Sequence, residues 1–364
     1  MILSKLIVLL QVAIVLPGIN IVAQTNTNKP GIPPTSGTIV NEKFVSAVLR
    51  ENRIGLDPNR NIKVYLPPGY AGSGKSYPVV YYCHNAFWSA ERLFESGRLV
   101  TLLERAFVNG IVKEFILVAA DYSGPTTGCI YENSTTSGRW LDFTVNELVP
   151  FIDKKFRTID NRESRAVVGD FFGGRGALKL AMVHADIFSI AYALHPVATG
   201  TGDIPWTYIN LDWKKILQAK SLSEISNGGE RLFISFCQAY LPNANRPPFY
   251  CDFFMEMENG LPTYNVENSR KLKQGFLLDE SLNEAYKNLS SMRGIAFDWG
   301  RFDETRAHVE SNREFSRKLQ DLGIEHEAEE YAGNPWNKNL IDNGRFYARV
   351  LPFLSSHLVF ETGK

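Results

Sequence analysis

Gly69-Tyr70-Ala71-Gly72-Ser73-Gly74-Lys75-Ser76 matches, position by position, the G-x-x-x-x-G-K-S pattern that cradles nucleotide phosphates. That chemistry needs a strand before the loop and a helix after it, so that helix N-terminal amides meet the phosphates. Here the apolar run Val79 to Tyr82 follows, which predicts a strand. The match therefore reads as a turn between two strands. The six histidines, His84, His184, His195, His308, His326 and His357, fall in no H-E-x-x-H or comparable ligand spacing. The four cysteines form no C-x-x-C pair. Neither a metal nor a cofactor is expected.

Lysine and arginine number 39, as do aspartate and glutamate, and no block of like charge stands out. This excludes the basic footprint of a nucleic-acid binder and the polybasic stripe of a membrane-surface protein. Residues 1–23 read as a secretory signal peptide: a basic start at Lys5, the apolar run Leu6 to Leu16, and a small residue, Ala23, at the cleavage position. Pro17 and Gly18 interrupt the run short of the ~20 residues a spanning helix needs. Thr, Asn and Pro dominate the following stretch, so residues 24–40 are expected to form a disordered leader. In an oxidising compartment, Cys237 and Cys251 are the expected disulfide, closing a Pro-rich loop, and Cys83 is expected as a buried thiol.

Strands are predicted at Phe44–Leu49, Ile62–Leu66, Pro78–Cys83, Phe115–Ala120, Arg165–Gly169, Ile190–Leu194, Arg231–Phe236, Gly294–Asp298 and Glu327–Tyr331. Helical patterns fill most of the intervals: 90–109, 141–156, 174–184, 281–291, 305–322 and 339–357. This alternation predicts an α/β fold with a mostly parallel sheet, helices on both faces and an antiparallel N-terminal edge. Residues 41–364 form one domain, with an irregular lid inserted over about 200–280, where Pro, Asn and aromatic residues accumulate.

Several dispersed segments occur in one order: Val64-Tyr65-Leu66-Pro67-Pro68-Gly69-Tyr70, Tyr77 to His84, Trp140-Leu141-Asp142-Phe143, Ser164 to Leu180, and Val350-Leu351-Pro352-Phe353-Leu354. Together they resemble the putative esterase family of α/β-hydrolases, the group of esterase D, feruloyl esterases and enterochelin esterases. The resemblance implies an α/β-hydrolase fold, an ester substrate of small-molecule or polysaccharide origin, and a Ser-His-Asp triad with the serine on a G-x-S-x-G turn. At that turn this chain reads Gly169-Asp170-Phe171-Phe172-Gly173-Gly174, so Phe171 occupies the nucleophile position. A phenyl ring has no lone pair to attack a carbonyl. The family's base lies in a Y-x-G-N-H segment, and here the matching segment is Tyr331-Ala332-Gly333-Asn334-Pro335-Trp336, with Pro335, or in the alternative alignment Asn334, at the histidine. Only the acid survives, as Asp303. The resemblance puts the oxyanion-hole loop at His84 and Asn85, with the second donor on the amide of Phe172.

The expected function is therefore that of an esterase homologue without triad catalysis, serving as an accessory or ligand-binding protein for esters or carbohydrates. Phe87, Trp88, Tyr122, Tyr131 and Trp336 fall near the expected mouth, where rings either stack on ligand or pack inside. One alternative is a working ester hydrolase with a rearranged mechanism using Asp170 or a lid residue. Another is a structural or partner-binding protein whose cleft Phe171 and Phe172 plug. With the base also gone, a serine restored at 171 alone is not expected to produce an esterase.

Overall fold

The computed structural model describes residues 36–200 and 211–361. The expected signal peptide, most of the leader and the start of the lid lie outside the described residues. Twelve strands occur among those described: β1 (Thr38–Val45), β2 (Asn59–Leu66), β3 (Val79–Cys83), β4 (Ile116–Ala120), β5 (Asn133–Ser134), β6 (Gly138–Arg139), β7 (Arg165–Asp170), β8 (Ile190–Leu194), β9 (Met255–Glu258), β10 (Leu261–Tyr264), β11 (Gly294–Gly300) and β12 (Glu327–Tyr331). Eight of them make one sheet in the order β1-β2-β4-β3-β7-β8-β11-β12. β1 and β2 pair antiparallel, as do β2 and β4, and every pairing from β4 to β12 is parallel.

β3, β4, β7 and β8 are buried along their whole length, because helices cover both faces. One apolar cluster lies on one face under the helices Trp140–Asp142, Val149–Lys155, Phe172–Val183 and Arg306–Asp321. The other lies under Ala90–Glu95, Arg98–Val108 and Leu351–His357. The parallel strands all end on one edge of the sheet, where an open α/β fold gathers its functional loops. The P-loop-like segment is a helical turn, Tyr70–Ser73, followed by Gly74 at positive φ and then by β3, a link between two strands.

Four expectations need correction. The first strand is Thr38–Val45 rather than Phe44–Leu49; Ser46 caps a helical turn at Ala47–Arg50 by accepting from the Leu49 amide. The leader therefore cannot extend to residue 40, since Thr38, Ile39 and Val40 pair with β2. Arg231–Phe236 lies within the helix Gly228–Tyr240, started by the Asn227 side chain; the helix is buried on every side from Leu232 to Gln238, so its apolar run has no 3.6-residue period and imitates a buried strand. All four cysteines are buried free thiols; the Cys251 thiol hydrogen-bonds Cys237, and burial pushes its ionisation up, but the two are not bridged.

The stretch expected as a lid is more regular than its composition suggested. Helices Trp213–Gln218, Gly228–Tyr240 and Val266–Phe276, with the β9–β10 hairpin, enclose a third apolar cluster. Phe171 and Phe172 belong to that cluster. Arg175, fully buried on the following helix, donates to the carbonyls of Ile130, Gly275 and Phe276 and faces Glu132, tying the lid's last helix to the sheet.

Candidate active site

β7 turns into the helix Phe172–Val183 through a single residue, Phe171, at φ 54° and ψ −111°. Its amide donates to Leu194 O on β8 (2.9 Å), and its carbonyl accepts from the Arg175 amide (3.0 Å). Two glycines make this crossing feasible. A Cβ on Gly169 would meet the Gly173 carbonyl oxygen at 2.2 Å, and one on Gly173 would meet the Cys83 carbonyl oxygen at 1.9 Å. G-x-Phe-x-G is thus the backbone of a nucleophile elbow with a phenyl ring where the hydroxyl would stand. A bulky side chain at positive φ is strained. Packing holds it there: the Phe171 ring lies 4.7 Å from Trp336, 5.2 Å from Phe172, 5.2 Å from His308 and 6.1 Å from His195, centroid to centroid.

Asp170, one residue earlier, is directed away from this cluster. Its carboxylate accepts from the Tyr82 hydroxyl (3.1 Å) and from the Asn85 backbone amide. Burial pushes its pKa up to about 7. Neither partner is a base of the kind a nucleophilic aspartate needs to activate water. The same bond engages the Asn85 amide, one of the two residues expected to form the oxyanion-hole loop. The Phe172 amide, at the first position of its helix, keeps the direction of an N-terminal donor. His84 is fully buried; its Nε2 accepts from the Tyr122 amide (2.9 Å), its Nδ1 pairs with Asn85 O (2.9 Å), and burial lowers its pKa. Both ring nitrogens serve the backbone, as a structural histidine's would.

The acid corner holds what sequence reasoning missed. Asp303 follows β11 and accepts at Oδ2 from His195 Nε2 (2.8 Å) and from His308 Nδ1 (2.8 Å), while Oδ1 accepts from the Thr305 amide (2.8 Å). Burial pushes its carboxyl up, but the two imidazole bonds outweigh burial and hold it well below the usual carboxylate range. So the acid is not left without an imidazole. His195 comes from the end of β8 and His308 from the first turn of the helix Arg306–Asp321. A signal existed for His195: it directly follows the predicted strand Ile190–Leu194, and residues at that edge of a parallel sheet converge.

Ligand-type atoms of His195, Asp303 and His308 lie within 4.8 Å of one another, a grouping the linear spacing had hidden. The hydrogen bonds decide against a metal there. His195 Nδ1 accepts from the Gly300 amide (2.8 Å), so the proton sits on Nε2, which donates to Asp303 and has no lone pair for a cation. Burial lowers the His195 pKa, against the opposing pull of Asp303, and keeps the ring neutral. His308 differs: Nδ1 carries the proton given to Asp303, and Nε2 takes no hydrogen bond among the described residues.

The loop after β12 brings no imidazole. Asn334 Oδ1 accepts from the amides of Trp336 (3.0 Å) and Asn337 (3.1 Å), fixing a turn in which Pro335 is buried and Trp336 is 58% exposed against Phe171. The profile of the putative esterase family matches residues 55–247, more than half of the chain. The chain belongs to that family. Among curated members, an esterase of Mycobacterium tuberculosis is 31% identical over 139 residues, 36% of this chain but only 28% of that protein. Endo-1,4-beta-xylanase Y of Acetivibrio thermocellus is 26% identical over 112 residues, 10% of its length. The chain thus spans well under a third of these relatives. Among solved structures, a ferulic acid esterase superposes with a TM-score of 0.60 at 18% identity, covering 89% of this chain and 99% of that one. The S-formylglutathione hydrolase of Staphylococcus aureus gives 0.51 at 12% identity, covering 86% and 96%. These likenesses show the α/β-hydrolase fold.

Two of the rings expected near the mouth lie elsewhere. Tyr131 is 1% exposed, donates its hydroxyl to His84 O (2.6 Å) and packs on Gly176; Tyr122 is buried beside it. Both are core rings beneath the elbow. Trp88 packs half-buried on the cluster under Ala90–Glu95, with the Arg92 guanidinium 5.2 Å above it. What remains is a continuous row, Phe87–Phe172–Phe171–Trp336, buried in the middle and exposed at its two ends.

Proposed function

We propose that this esterase-family chain does not turn over esters by a serine mechanism and instead binds an ester or carbohydrate ligand on the aromatic row across its elbow. One observation carries the reading: the elbow backbone is kept, down to its two obligatory glycines, while its side chain is phenyl. Such a ring can stack on a sugar face or an aryl acid but cannot form an acyl-enzyme. Similarity to a ferulic acid esterase and to an endo-1,4-beta-xylanase/feruloyl esterase supports feruloyl and carbohydrate esters as the ligand class. An accessory role outside the cell follows from the N-terminal signal-like segment. Titrating methyl ferulate and a feruloylated xylo-oligosaccharide against tryptophan fluorescence tests the reading. Saturable quenching, weakened about 3- to 10-fold in Trp336→Ala, is the expected result, the value of one aromatic contact. No saturable binding by any ester or oligosaccharide would sink it.

A second reading has its own support. Phe171 and Phe172 are members of the lid's apolar cluster, with Phe172 5.7 Å from Phe236 of the lid. In that reading the rings hold the lid shut and the surface serves a partner.

A further inference from the structure

We propose that His308, oriented by Asp303, is a general base already assembled at this site, supplied by the helix Arg306–Asp321 in place of the imidazole that the loop after β12 lacks, and that the Phe171 ring alone keeps it idle. A triad imidazole needs its Nδ1 proton held by a carboxylate and its Nε2 lone pair turned toward the nucleophile. His308 meets the first condition, with Nδ1 2.8 Å from Asp303 Oδ2 and that oxygen fixed further by His195. For the second, its Nε2 has no partner among the described residues, and its ring is perpendicular to that of Phe171, 5.2 Å away centroid to centroid at 88°. His195 cannot take the role, because Gly300 occupies its Nδ1 and Asp303 its Nε2. The Asn85 side chain adds an unspent donor: its Nδ2 is buried without a partner among the described residues, on the expected oxyanion loop.

In Phe171→Ser the hydroxyl oxygen would attack the ester carbonyl carbon while His308 Nε2 takes its proton. The bond to the leaving alkoxide breaks as that proton passes to it. Water then attacks the acyl-serine, gives a proton to Nε2, and releases the acid with the serine hydroxyl restored. This revises the expectation that serine alone would be idle. The inference rests on Phe171 being the elbow residue, and it is separable from the binding proposal, which concerns the wild type.

The test is p-nitrophenyl acetate hydrolysis by Phe171→Ser, Phe171→Ser/His308→Ala and Phe171→Ser/Pro335→His, each checked for folding by circular dichroism. The expected result is a p-nitrophenolate burst and a rate about 100-fold or more above wild type in the single variant, lost with His308→Ala and not raised by Pro335→His. A folded Phe171→Ser no faster than wild type, or one indifferent to His308→Ala, overturns the proposal. Should the serine variant not fold, Phe171→Cys is alkylated with iodoacetamide at neutral pH. Faster reaction than in Phe171→Cys/His308→Ala supports it, since an adjacent imidazole promotes the thiolate, and equal rates reject it.

Discussion

The elbow and the acid corner sit on one edge of the sheet and depart from the expected triad in opposite senses. At the elbow the backbone of the motif is present without its hydroxyl: Gly169 and Gly173 permit the crossing, and it presents a phenyl ring. At the acid corner the loop after β12 lacks the expected histidine, yet Asp303 accepts from imidazoles at the end of β8 and on the helix Arg306–Asp321. The two carboxylates show the same contrast. Asp170 is buried with two donors and pushed up to about 7, whereas Asp303 is held well below the usual range. Packing holds the elbow backbone whatever side chain it carries, while a carboxylate–imidazole pair forms wherever the topology brings the partners together.

The strongest way to break this contrast is to remove the acid. Asp303→Ala strips two buried imidazoles of their common acceptor and should cost about 3–5 kcal/mol in urea unfolding, the scale of a broken buried pair. A loss below about 1 kcal/mol would mean that the cluster is not a unit. Next in size, Phe171→Ala should cost about 3 kcal/mol for the cavity among four rings. Phe171→Gly should then be no worse than alanine, despite losing one more carbon, because glycine relieves about 1 kcal/mol of positive-φ strain. Glycine markedly below alanine would show that the turn is relaxed.

The smallest effects sharpen the comparison by their sign. Asp170 has a folded pKa above its unfolded one, so its contribution is present below about pH 4 and lost as pH rises through about 7. Asp303 is depressed, so its contribution is present above the unfolded carboxylate pKa and lost as pH falls. Relative to wild type, Asp170→Asn should therefore gain stability as pH rises from about 4 to 8, whereas Asp303→Asn should lose stability as pH rises toward the unfolded carboxylate pKa of about 4 and show no further change above it. Parallel trends in the two unfolding series would contradict the assignment.

The fold and the elbow were legible because their signals are local. The strands from Ile62 to Tyr331, the antiparallel edge and the G-x-Phe-x-G spacing are all contained in short windows, and each stands where it was read, apart from the first strand and the lid helix Gly228–Tyr240. The acid corner was not legible, because its three residues come from two strand ends and a helix, and only the crossover β8-β11 brings residues 195 and 303 together. Tyr131 misled for the complementary reason: sequence placed it near the mouth, but its positive φ and its bond to His84 O turn it under the elbow.

Hydrolysis of p-nitrophenyl and feruloyl esters by the purified wild-type chain, measured beside Asp170→Asn and His308→Ala, tests the central claim most directly. Background rates, the same in all three proteins, are the predicted result. Turnover at ordinary enzyme rates, abolished by either substitution, would show that Phe171 has not ended ester hydrolysis at this site.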